Sequence, residues 1–576
     1  MKEERHKFDF CVVGGGMAGL IAALAAARRG AKVALVHDRP VLGGNASSEI
    51  RMHVCGAHGD NNRETGILEE LLLENHYRNP QPNYSIWDSV LYGKAQYQQG
   101  LQLFLNASVC QCRMAGTRIR SVKAWQTTTE TWHTIEARLF ADCSGDGILA
   151  PLSGADHRIG REARQEFNES IAPVDADRKT MGMSCLFQAR EHATPQPFIP
   201  PDWAPAFTKK EDLHGRDYDV RRTNFWWMEV GGEQDSIHDT ERLREELLRI
   251  AFGVWGFVKN HSDIRGEMAN WALEWIGFLP GKRESRRYVG DHILTQNDVE
   301  AEGRFDDLVA YGGWTMDDHF PAGFHHPEAG TIFHPAPSPF GIPYRSLYSR
   351  NVENLFCAGR CHSATHAAMS ATRVMGTTST MGQAVGTAAA IAARDSLSPR
   401  GVYERRLREL QDALMEDDAY LPWRARAVPE LSRSAVLAAG EGDAEPLRNG
   451  VDRPVGQEDN GWACAPGSWA EYRFGSAAPV HEVRLVFDSE LNRPGKNMRH
   501  SYALSDPPWT VPATMTKAFR IEVEDAGGNR RTVCRDDNNY QRLRRIALNA
   551  EARAVRLVPE STWGAARTHV FAFDVR

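Results

Sequence analysis

Residues 8–38 read FDFCVVGGGMAGLIAALAAARRGAKVALVHD. An apolar run, Phe8 to Val13, ends in Gly14-Gly-Gly16-Met-Ala-Gly19; an alanine-rich segment follows, then a second apolar run, Val33 to Val36. Strand, glycine turn, helix and strand in that order make a βαβ unit. In such a unit the glycines serve a tight turn, close approach of backbone to a pyrophosphate, and packing of helix on strand. The helix start offers free N–H groups and a positive dipole end to phosphate. The segment is expected to bind a dinucleotide through Gly14, Gly16 and Gly19.

The acidic ribose partner of this motif falls about 20 residues past the glycines. Here His37 ends the second strand and Asp38 follows it. Asp38 is expected to take the ribose, with His37 as its substitute and Arg39 beside them. Gly43-Gly44-Asn45-Ala-Ser-Ser48 comes next. A second glycine pair at this place resembles FAD enzymes of the glutathione-reductase type, in which the chain passes pyrophosphate and flavin here. That resemblance implies FAD rather than NAD, with Gly43, Gly44, Asn45 and Ser48 at the cofactor.

The 576 residues suffice for three or four units of about 150 residues each. A formal charge of −7 without a long basic run speaks against a nucleic-acid partner. The charged N-terminus leads straight into the first strand, so no signal peptide is expected. No apolar stretch approaches the ~18 residues that span a bilayer, so no membrane partner is expected and the expected location is the cytoplasm. Ten cysteines lie scattered without a CxxC pair, which argues against a redox disulfide and against iron–sulfur clusters.

The chain divides by pattern. Residues 1–150 form the first part of the cofactor domain, with Leu101 to Asn106 a third parallel strand. Within them, Ile119 to Gln126 and Thr131 to Phe140 alternate as antiparallel strands leading to Asp142-Cys-Ser144-Gly145-Asp146-Gly147, a second nucleotide-facing turn. Residues 151–350, rich in proline clusters and tryptophan, read as an inserted substrate domain. Residues 351–395 return to the cofactor with Gly359-Arg360 and a small-residue helix whose N-terminal end, Gly376-Thr377, aims its dipole at the flavin. A helical connector, 396–426, precedes 427–576, where short alternating strands between Gly, Asn and Asp turns indicate a β-sandwich. The fold class is thus α/β: an FAD-binding Rossmann-like parallel sheet, an inserted α+β substrate domain and a C-terminal all-β sandwich.

These strings together resemble the FAD-dependent oxidoreductase family typified by GGNASSE, here Gly43 to Glu49. The likeness also includes Arg63-Glu-Thr-Gly66, Ser144-Gly-Asp-Gly147, Arg283-Glu-Ser-Arg-Arg287 and Ala358-Gly-Arg360 through Gly386. It implies non-covalent FAD and an oxidoreductase. Members are often encoded beside glycan-degrading enzymes and some carry a C-terminal sandwich, here one resembling discoidin-like carbohydrate-binding modules, which implies a carbohydrate or sugar-acid substrate. Trp462, Trp469, Trp509, Tyr540 and Trp563 are candidates to stack on sugar rings, against the commoner role of core aromatics. The alternatives are a monooxygenase or dehydrogenase of a hydrophobic small molecule, or a non-catalytic flavin-binding interaction protein. A homo-oligomer is compatible with all three.

The broader fold places Ser48 to Gly56 beside the flavin. Alternation in an extended segment would set Glu49, Arg51 and His53 on one side. His53 is the candidate base for a hydroxyl proton, because imidazole titrates near working pH; Arg51 is the candidate beside it. Arg286, within Arg283 to Arg287, is expected to clamp an anion or polyol through planar bidentate donors. His362 and His366 stand four apart, a metal-ligand spacing with no further ligand in support. His366 is therefore assigned to substrate or acid–base work, and no metal site is expected.

Overall fold

The computed structural model describes residues 1–328, 330–493 and 500–576. The chain divides into two compact units. One comprises Met1–Gly56, Pro82–Leu410 and Gly495–Pro507; the other comprises Ala57–Gln81, Gln411–Pro494 and Pro508–Arg576.

The first unit is built on a seven-stranded sheet. Its strands are β1 (Lys2–Val13), β2 (Val33–Val36), β3 (Leu101–Phe104), β4 (Ala107–Ala115), β5 (Arg118–Gln126), β6 (Thr131–Asp142) and β7 (Leu355–Cys357). The order β3-β2-β1-β6 is parallel, and β5 and β4 continue it antiparallel. The long β6 serves two neighbours in turn: residues 131–136 pair with β5, and Phe140 to Asp142 pair in parallel with β7. The buried run Phe10 to Val13 and the all-buried β2 are what a sheet covered on both faces requires. One cover is α1 (Met17–Arg28), against which α2 (Met375–Asp395) lies so closely that a Cβ at Gly386 would sit 2.1 Å from the Ala22 carbonyl oxygen.

Two differences from the sequence reading have simple causes. The first strand starts at Lys2 instead of Phe8, because Lys2 to Lys7 finds a ready partner in Thr131 to Glu136 although its side chains are charged. The leucine spacing of 64–75 and the apolar pattern of 88–99 predict helices there; they lie at Ile67–Arg78 and Tyr84–Gln96, and Asn83 caps the second by accepting from Ser85 and Ile86 N–H. Within 151–350 the chain makes small two- and three-stranded sheets and the helix Thr240–Asn260, around a core that includes Phe187, Phe225, Trp227 and Trp255.

The second unit carries a seven-stranded antiparallel sheet, order Trp462–Cys464, Thr568–Val575, β8 (Ala470–Phe487), β9 (Leu543–Thr562), Thr516–Glu524, Arg530–Asp536. The seventh strand, Val436–Ala439, pairs with the start of β8. Register shifts in the 18-residue β8 between Arg473 and Ala478 and between Val480 and Glu482 bend the sheet over its own core of Val483, Leu485, Phe519, Ile521, Val555 and Phe573. Buried Arg484 pairs with Asp452 (2.9 Å) and Asp574 (3.3 Å). The aromatics expected to stack on sugars are engaged within the unit. Trp462 is buried and donates to the Glu441 carbonyl. Tyr540 lies flat on Tyr77 at 3.9 Å, Trp563 edges onto Tyr77, Trp509 edges onto His76, and Arg556 covers Trp469.

All ten cysteines are free thiols. Among the described residues no helix is long and apolar enough to cross a membrane.

Candidate active site

The register places Val36, Val13, Asp142 and Cys357 level with one another at the carboxyl ends of four adjacent strands. The turns that leave those ends, His37 to Arg39, Gly14 to Gly16, Cys143 to Asp146 and Gly359-Arg360, line one cleft of about 480 Å³. Ligands of open α/β sheets bind at this edge. Gly14 holds φ +104°, and a Cβ there would fall 2.4 Å from the Cys143 carbonyl carbon; at Gly19 it would fall 1.9 Å from the Gly14 oxygen. Gly43 lies against Gly16 in an isolated parallel bridge. The first turn of α1 has no side-chain cap, so its N–H groups face the cleft for an anion. Arg39 lines the cleft, and its Nη1 is buried without a hydrogen bond. This donor set, a glycine cradle, an uncapped helix start and an acid at Asp38, fits the pyrophosphate and ribose of FAD.

His37 sits beneath the cradle. Its Nδ1 accepts the Gly15 N–H (3.0 Å), and its Nε2–H donates to the Val41 carbonyl (3.0 Å). Burial lowers its pKa to about 4, which keeps the ring neutral and both bonds intact. With both nitrogens used, His37 shapes the turn, while the more exposed Asp38 lines the cleft. In the next turn the organiser is Asp142, the first residue of the predicted nucleotide-facing turn. It accepts from Ser144 N–H and Oγ–H, Leu149 N–H and Tyr288 Oη–H. Gly145 and Asp146 then reach the cleft. Asp146 binds Lys282 Nζ at 2.7 Å and Arg360 Nη2 at 2.6 Å, and these two cations hold its carboxyl well below the usual range despite burial. Of the α2 start, Met375 and Thr378 line the cleft. Gly376 N–H is spent on the Cys55 carbonyl, and Thr377 is buried with its hydroxyl lacking a hydrogen bond. Ser48 N–H is held by Asp88.

A second cavity of about 80 Å³ adjoins the cleft and shares Asn45, Lys282, Arg360 and Arg373 with it. Ile50, Met52, Leu186 and Trp226 supply its apolar wall, and Ser184 and Arg283 its polar one. Arg283 donates to Ser184 Oγ (2.9 Å) and the Trp226 carbonyl (2.8 Å) and faces Glu229 at 3.4 Å. Glu229 continues through His319 to Asp317 and Arg373, with His319 Nδ1 2.6 Å from Glu229 and Nε2 3.2 Å from Asp317. Four cations, Lys282, Arg283, Arg360 and Arg373, thus line the smaller cavity, each held by an anion one layer back or by backbone carbonyls.

The segment after Asn45 is not extended. Ile50 and Arg51 N–H close a turn on the Ser47 carbonyl, and Arg51 takes φ +61°, so the expected common side for residues 49, 51 and 53 is not formed. Arg51 lies over Trp275 at 4.3 Å and Tyr84 at 4.9 Å and donates to Gln188. His53 stands behind Met52, with Nε2 3.2 Å from Cys55 Sγ and Nδ1 3.3 Å from Asn224; neither residue lines the two cavities. The 283–287 run splits by residue. Arg283 reaches the cavity, Ser285 donates to Asp146, and Arg286 donates to the Asp146 carbonyl. Glu284 and Arg287 are buried with Glu162. His366 is gripped by Glu284 (2.8 Å) and Asp318 (3.0 Å), and these carboxylates raise its pKa to about 10 against the opposing effect of burial. His362 instead bonds the Gly359 carbonyl and Thr372, so the two histidines share no ligand point.

The family model described as FAD dependent oxidoreductase matches residues 9–414. No curated protein matches the chain. Among solved structures, the geranylgeranyl bacteriochlorophyll reductase-like protein of Thermoplasma acidophilum is 12% identical over 72% of this chain and 88% of that one, at a TM-score of 0.33. Chitosan-binding module 1 of a chitosanase/glucanase from Paenibacillus sp. IK-5 is 18% identical over 25% of this chain and 97% of its own, at 0.19. The myxobacterial chondrochloren halogenase CndH is 16% identical over 34% of this chain and 45% of its own, at 0.22.

Proposed function

Since the chain belongs to the FAD-dependent oxidoreductase family, we propose that it transfers hydride between flavin and a small polar substrate bearing a negative charge, a sugar acid being the class that fits. FAD held in the cleft supplies the hydride chemistry at N5. The observation that carries the substrate class is the junction where Asn45, Lys282, Arg360 and Arg373 border both the cleft and the smaller cavity. An anion placed there meets cations already fixed by Asp146, Glu229 and Asp317, so little reorganisation accompanies binding. Arg283, anchored on Ser184 and Trp226, retains N–H groups for a carboxylate. The wall of Ile50, Met52, Leu186 and Trp226 keeps water from the reacting carbon. The Lys282 ammonium, paired with Asp146 at 2.7 Å, would stabilise the alkoxide that forms as an alcohol substrate gives up its hydroxyl proton to solvent.

The test is anaerobic bleaching of the flavin by a panel of aldonic and uronic acids, the matching neutral sugars, and apolar alcohols. Bleaching by the acids, and its loss in Arg283→Ala with flavin content unchanged, is expected. Bleaching by NAD(P)H alone together with turnover of an apolar compound would replace this reading with the monooxygenase or dehydrogenase one.

A further inference from the structure

Lys2 to Lys7 is a charged segment that the chemistry of the cleft does not use, yet it is folded as strand. The parallel register sets Glu4 beside His133, and His6, two residues on, projects from the same face. Three ligand atoms converge there. His6 Nε2 and His133 Nδ1 are 3.1 Å apart, and Glu4 Oε2 is 3.6 Å from each. Ligands of a four-coordinate zinc ion at 2.0–2.2 Å stand about 3.4 Å from one another. A triangle with the observed edges has its centre about 2.0 Å from every corner, which is a zinc bond length.

We propose that Glu4, His6 and His133 form a binding site for a zinc-type divalent cation, with solvent as the fourth ligand. The outer layer suits this. His133 Nε2–H donates to Gln126 Oε1 at 3.2 Å, which fixes the tautomer and leaves the Nδ1 lone pair aimed at the triad. Gln126 is itself tied down through its amide to the Leu105 carbonyl. Phe104 packs edge-on against both rings, at 5.0 and 5.2 Å. Without metal, His6 Nε2–H donates to His133 Nδ1; on binding, that proton moves to His6 Nδ1 and the cation takes its place. Lys2, the present partner of Glu4, is largely exposed and free to swing into solvent.

His6 lies eight residues before Gly14 on the same strand, about 26 Å from the cleft at 3.3 Å per residue. The site is therefore structural, a clasp between the outer ends of β1 and β6. The experiment uses the full-length flavoprotein, stripped with EDTA and dialysed. Titration with Zn²⁺ by calorimetry, and with Co²⁺ by visible absorption, is expected to show one tight site and a melting temperature that climbs with free metal. Glu4→Gln and His6→Gln are each expected to weaken uptake at least tenfold while flavin content and turnover stay unchanged; both residues are partly exposed, so folding is retained. Absence of stoichiometric uptake, or uptake equal in wild type and both variants, overturns the proposal.

Discussion

Replacing His37 by leucine tests whether a neutral imidazole holds the glycine turn. Two effects follow. At pH 7 the variant leaves the Gly15 N–H buried without its acceptor, a loss of about 1–3 kcal/mol. The second effect is a changed pH dependence. The folded pKa of His37, about 4, lies below its unfolded value of 6.5, so the unfolded chain takes up the proton first. Its contribution is complete above about pH 6.5 and declines as the pH falls from there toward 4. Between pH 7 and pH 5 that decline amounts to about 2 kcal/mol. Protonation at Nδ1 would also set an N–H against the Gly15 N–H, so acid should loosen the turn before the rest of the sheet. The assay is urea unfolding of the holoprotein at both pH values, followed by flavin fluorescence on release. Wild type should lose about 2 kcal/mol more than His37→Leu on acidification. Equal losses would refute the argument that this ring must stay neutral.

Three further outcomes follow from the same geometry. Arg283→Lys should lower kcat/KM for an anionic substrate on the order of 100-fold, mainly through KM, because one point charge replaces a fork anchored on Ser184 and Trp226; steady-state kinetics checks this. Arg484→Met leaves buried Asp574 and Asp452 with one cation fewer and should cost about 3–5 kcal/mol, seen as an early calorimetric transition with flavin still bound. His366, raised to about 10 by Glu284 and Asp318, stabilises the fold fully below pH 6.5 and loses that contribution as the pH rises through 10. His366→Gln should therefore show a smaller fall in melting temperature between pH 7 and pH 10 than wild type.

The cofactor edge of the sheet was readable because its constraints are local: an apolar run, glycines where no Cβ fits, and an acid at a fixed distance. The same logic placed β3, β5 and β6; in the sandwich, where short strands are expected, β8 and β9 instead run to 18 and 20 residues. The cavity beside the cleft was not readable in this way. Lys282 and Arg283 are adjacent in sequence to Glu284, Arg286 and Arg287, and only pairing with Met183-Ser184 decides which of them faces the junction. Arg373 carries no sequence signal beyond its charge; Asp317, far away in the chain, gives it meaning. Arg51 failed as an extended-strand residue because a turn on the Ser47 carbonyl intervened, a geometry that Asn-Ala-Ser-Ser does not announce. The triad at Glu4, His6 and His133 depends on a register between segments more than 120 residues apart.

The two compact units are threaded through each other's sequence. Residues 57–81 leave the nucleotide-binding region early and donate Tyr77 to Tyr540, while Glu64 pairs with Arg493. In return the late segment around 500–507 belongs to the other body: Tyr502 bridges Arg190 and rests against its guanidinium, and Ser501 receives the Ala189 N–H. A gene cut at residue 426 would thus yield two incomplete products, one stripped of a helix and the other of a strap. Shuffling this sandwich between proteins as a detachable cassette would require re-engineering both donors.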